Sequence, residues 1–137
     1  MQTKRSRARE IALQVLFQDD LNAGASPAQA EAFLRGRLHQ PELAEFGQSL
    51  VAGVRRNREE LDALLTKTAE NWRLERMAAT DRNILRMGAY ELLFTETPGR
   101  VAINEAVELA KRFGTANSAQ FVNGILDRFL AMKESKE

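Results

Sequence analysis

Four cations crowd the first ten residues, Lys4, Arg5, Arg7 and Arg9, against the single acid Glu10. The other 127 residues hold 16 basic and 18 acidic side chains, so a formal net charge of +1 conceals a basic start on a slightly acidic body. Clustered arginine and lysine neutralise phosphate, and the amides Gln14 and Gln18 continue the face that begins at Arg7 on one stripe of a helix. Amide side chains hydrogen-bond base edges, which are accessible in single-stranded RNA. This is the chemistry of RNA binding; an ordinary solvated terminus is the alternative for the same residues. Stacking on bases would fall to Phe17 or Phe121, although both also fit core stripes.

Bond-making chemistry has little to stand on. Asp19 with Asp20, Glu59 with Glu60, and Glu105 with Glu108 beside Asn104 supply carboxylates. Adjacent acids on a helix do not face each other, and helical acids are commonly solvated. With no cysteine, disulfides, thiolate metal sites and a cysteine nucleophile are excluded. His39 is the one histidine, so a multi-histidine zinc site is excluded too, and its place beside Pro41 at a helix end suggests a cap. Gly36, Gly47, Gly53 and Gly88 sit singly in helical pattern, with no phosphate-binding loop. No enzymatic activity, cofactor or metal is therefore expected. Asn104, Glu105 and Asn123, polar among apolar neighbours, read as buried groups tying the last helices together. Arg82 and Arg86, four apart, read as a solvated face.

The elements that position these residues are helical throughout, since apolar residues recur at helical and not at alternating spacing. A first helix from about Ser6 to Asn22 is apolar nearly all round, which predicts burial. Ala23 to Ala25 form a linker, and Ser26, Pro27 and Gln29 start a second helix that stops before Pro41. A third follows from about Glu42 to Arg55–Asn57, and Asn57 with Glu60 predicts the next capping pair. After a fourth helix, Trp72 is expected to close one end of the core. Helices over 79–95 and 101–113 and a last one from Asn117 or Ser118 complete the set, with Gly88 predicting close helix packing and Gly114 a helix end. The inward positions of the sixth include Phe113. The expected fold is all-α, a compact bundle of six to seven helices forming a single domain over residues 1–137. No long apolar run and no signal-peptide pattern is present, and a cysteine-free chain suits the reducing cytoplasm.

Four stretches carry a resemblance: RAREIALQVLF from Arg7, DRNILRMGAYELLF from Asp81, VAINEAVELAKRFG from Val101 and FVNGILD from Phe121. In order and content they resemble the NusB family of bacterial transcription antitermination factors. The resemblance implies an all-helical fold of two subdomains that binds the boxA element of ribosomal RNA leader transcripts. It also implies partnership with NusE, a ribosomal small-subunit protein, in a complex with NusA, NusG and RNA polymerase. Mapped by position, the implied RNA surface comprises Lys4, Arg5, Arg7 and Arg9 at the start, with Asn117, Ser118, Gln120 and Phe121 before and within the last helix. The implied NusE contacts are Glu75, Asp81 and Arg82, Asp81 being equally able to cap its own helix. Some members carry an acid where this chain has Asn117, and a neutral amide removes one charge that repels phosphate. A related domain precedes a catalytic domain in some ribosomal RNA cytosine methyltransferases; with only the helical part in this sequence, no methyl transfer is expected. From a different class, the alternative is a helical protein–protein adaptor without direct RNA binding.

Overall fold

Ser26, Pro27 and Gln29 start a helix as their types require. The Ser26 hydroxyl accepts the Gln29 N–H at 3.1 Å, and the Ser26 N–H donates to Gln29 Oε1 at 2.9 Å. Rules of this kind build seven α-helices among the residues that the computed structural model describes, 4–21, 25–69 and 73–135. They are α1 (Lys4–Leu21), α2 (Pro27–Arg37), α3 (Pro41–Arg56), α4 (Arg58–Thr68), α5 (Ala79–Phe94), α6 (Gly99–Phe113) and α7 (Ser118–Ser135). A short 3-10 turn, Leu74–Arg76, precedes α5. The expectations placed on Asn22, Ala23, Gly24 and Trp72 lie outside the described residues. Two capping expectations are corrected. Asn57 holds the N-cap position of α4 but makes no side-chain capping bond. Behind α2 the cap is Leu38, buried and bonded through its N–H to Leu34 O at 2.8 Å, so the apolar residue ends the helix and His39 stands exposed after it.

The chain divides into two compact units, Met1–Arg56 and Asn57–Glu137. In the first, α1 packs on α3, and α2 packs on both. As its pattern predicts, α1 is buried from Ala8 through Leu13 and again at Val15 and Leu16. Near its end the Asp19 carboxylate accepts two bonds from Arg55 on α3, at 2.7 and 2.8 Å. That hydrogen-bonded pairing raises the Arg55 pKa above its ordinary value, against the lowering effect of burial. It also removes Asp19 from the candidate acids.

The second unit is organised by α5, in which every residue from Asn83 to Leu92 is buried and which packs on α4, α6 and α7. Gly88 makes this possible. A Cβ there would stand 2.8 Å from Leu126 Cδ1 of α7 and 3.5 Å from Ala106 Cβ of α6, so the helical cost of glycine, roughly 1 kcal/mol, is offset by closer packing. Arg86, expected on a solvated face, is instead 4% exposed. Its Nε and Nη2 donate to the two Asp62 oxygens of α4 at 2.7 and 3.0 Å, and its Nη1 donates to Asn83 Oδ1. The polar groups expected inside are elsewhere: Asn104 is exposed, while Glu105 and Asn123 are half-buried, Asn123 donating along its own helix to Asp127. Asn83, Arg86 and Glu91 are the buried polar side chains of α5. Phe113, expected inward, is 43% exposed, with the Arg112 guanidinium over its ring. Among the described residues no helix is long and apolar enough to cross a membrane.

Candidate nucleic-acid interface

The basic cluster is the opening of α1 itself. Lys4, Arg5 and Arg7 are exposed on its first turns, and no acid occupies the first turn. Cations at a helix N-terminus oppose the macrodipole, so this charge works slightly against the helix that carries it. Arg7 is steadied by Nη1 donating to Glu10 Oε2 at 2.9 Å, Glu10 being buried. Gln14 and Gln18 are exposed, and the stripe they form with Arg7 lies on the outer side of the helix. Arg9 differs: it is 4% exposed, its guanidinium 5.1 Å from the centre of the Phe46 ring on α3. Phe17 is half-buried.

In the second unit a groove of about 450 Å³ is lined by Arg76, Met77, Ala78, Asp81, Thr115, Asn117, Ser118, Gln120 and Phe121. Residues expected to meet RNA and a residue expected to meet a protein thus border one concavity. Its floor is apolar at Met77 and Phe121, and its rim polar at Asn117 and Gln120, both exposed. Asp81 lies in the first turn of α5, where its charge suits the dipole, yet its Oδ1 is buried with no hydrogen-bond partner. The N-cap position is Ala78, so Asp81 is not the cap.

Two expected contact residues have internal work. Ser118 is 1% exposed, and its Oγ accepts the Thr115 N–H at 2.9 Å, fixing the turn into α7. The Arg82 Nη1 donates to Leu74 O at 3.2 Å and Met77 O at 3.0 Å, clamping the 3-10 turn against α5. Glu75 is exposed on that turn. Arg76 and Thr115 line the groove without having been singled out by sequence; the visible signal was one more cation in a short connection and a hydroxyl next to the Gly114 helix end.

Comparison with known proteins agrees with this architecture. The model of the NusB family matches residues 6–131. The transcription antitermination protein NusB of Symbiobacterium thermophilum is 51% identical over 132 residues, covering 89% of this chain and 86% of the relative. The NusB structure from T. maritima superposes with a TM-score of 0.86 at 35% identity, covering 100% of both chains. A crystal structure of antitermination factors NusB and NusE in complex with dsRNA matches with a TM-score of 0.84 at 27% identity, over 96% of this chain and 99% of that one.

Proposed function

The chain belongs to the NusB family, and from that premise we propose that it is a non-enzymatic, RNA-binding antitermination factor that binds boxA RNA of ribosomal leader transcripts together with NusE. The observation that carries the RNA part is the first turn of α1. It exposes Lys4, Arg5 and Arg7 at a helix end whose own dipole already favours an anion. The macrodipole gives the helix no gain from these cations, whereas a phosphate gains from both terms. Gln14 and Gln18 extend the surface with neutral hydrogen-bonding groups.

The groove complements charge with shape. Phe121 offers a face for a base to stack on, and Asn117 and Gln120 line the same groove with groups suited to base edges. Arg9 and Ser118 act one step back, as supports for the surface. Glu75 and Asp81 are the positions we assign to NusE, with Arg82 holding the turn that presents them. Residues 1–137 are taken as one functional domain working in the cytoplasm, in assembly with NusA, NusG and RNA polymerase. Holding RNA and protein partners together raises the effective concentration of each at the other, which supports processive ribosomal RNA transcription without any bond being made or broken.

Binding of a labelled single-stranded boxA RNA and a scrambled control, with and without purified NusE at one salt concentration, tests this. The expected result is a preference for boxA that strengthens with NusE. If neither RNA binds while NusE still associates, the chain is a protein adaptor and the cations of α1 are a solvated terminus.

A further inference from the structure

The two helices that carry the first unit come close at Gly47 of α3, where a Cβ would stand 3.6 Å from Ala8 O of α1 and 2.9 Å from Leu34 Cδ2. Phe46, beside that crossing, is only half-buried and is not one of the core side chains. It meets α1 on the turn around Ala8, and Arg5 and Arg9, four apart, lie on the same face of that turn. Their guanidinium carbons are 4.5 Å and 5.1 Å from the centre of its ring.

A ring attracts cations through its quadrupole while carrying no compensating charge. A carboxylate taking two guanidinium donors in the same place would fix the group and cancel its charge, as Asp19 does for Arg55, whereas Glu10 takes a single donor of the exposed Arg7. We propose that Phe46 is a positioning residue for RNA: it holds the exposed Arg5 in the orientation that meets a phosphate, with the buried Arg9 as a strut on the same ring. The positive charge of Arg5 is kept. Arg7, held by Glu10 and not by the ring, is independent of Phe46. The proposal rests on the RNA-binding reading of α1 given above.

Affinity for labelled single-stranded boxA RNA, measured on the full chain, separates the two ideas. Phe46→Leu should weaken binding about three- to fivefold, while Phe46→Tyr, which keeps the ring, stays within about twofold of the parent. In an Arg5→Ala background Phe46→Leu should add almost nothing, whereas in an Arg7→Ala background the two losses should multiply. Loss of binding in Phe46→Tyr equal to that in Phe46→Leu, parent-like binding by Phe46→Leu, or multiplied losses with Arg5→Ala would each overturn the positioning role. Parent-like binding by Arg5→Ala itself would instead defeat the RNA reading of α1, and the positioning role with it. Independently of any variant's folding, NMR of the unaltered protein should show the Arg5 side chain shifted upfield by the ring; unshifted resonances would overturn the proposal.

Discussion

Arg5 and Arg9 on α1 and Arg82 and Arg86 on α5 share a spacing of four residues and a helical setting, yet the two pairs meet different chemistry. Arg86 is enclosed with a carboxylate brought by α4, and Arg82 donates to two backbone carbonyls. Arg5 and Arg9 meet an aromatic ring brought by α3. The Asp62 carboxylate cancels charge and the carbonyls satisfy donors, both to the gain of the fold, whereas the ring orients the exposed Arg5 and leaves its charge available. Spacing decides which residues share a face, and the neighbouring helix decides what that face is for.

The comparison breaks most visibly if the enclosed arginine is removed. Arg86→Ala leaves Asp62 without its bidentate partner and a gap inside α5, and should lower the unfolding free energy by about 3 kcal/mol in a urea titration. RNA affinity of the folded protein should stay as it is. A loss of RNA affinity without a loss of stability would erase the contrast between the pairs. The second effect in size lies in the groove: Phe121→Ala should weaken boxA RNA about tenfold, the scale of one lost base–aromatic stack, in equilibrium binding. Smaller again, Asn117→Asp adds a negative charge to a groove that already holds Asp81, and should weaken RNA about threefold at low salt and less at high salt. Unchanged affinity there would remove Asn117 from the RNA surface.

Much of the fold is legible in the sequence because its punctuation is local. Ser26, Pro27 and Gln29 specify the start of α2 within four residues, and Gly114 caps α6 with its N–H on Ala110 O. Gly88 is a partial signal: it does mark a close approach, but Gly36 and Gly124 sit inside helices with open space beside them, so a helical glycine alone does not specify one. The cations of α1 are legible from the sequence, being contiguous. What stays hidden depends on which faces meet. Nothing local pairs Arg86 with Asp62 or brings Phe46 to Arg5, because each partner arrives from another element. The same limit explains Phe113, whose position fits the inward stripe of α6 although its ring ends near solvent. Likewise Asp81 and Gln120 border one groove through the packing of α5 on α7, which periodicity alone does not specify.

The central assignment is that the exposed cations of α1 neutralise RNA phosphates, and a salt series measures it most directly. Affinity for labelled single-stranded boxA RNA should be followed for the parent chain and for the Arg5→Ala, Arg7→Ala double variant. With Lys4, Arg5 and Arg7 each engaging one phosphate, log affinity should fall against log salt with a slope of about −2 in the parent and about −0.7 in the variant. Equal slopes in the two proteins would contradict the assignment.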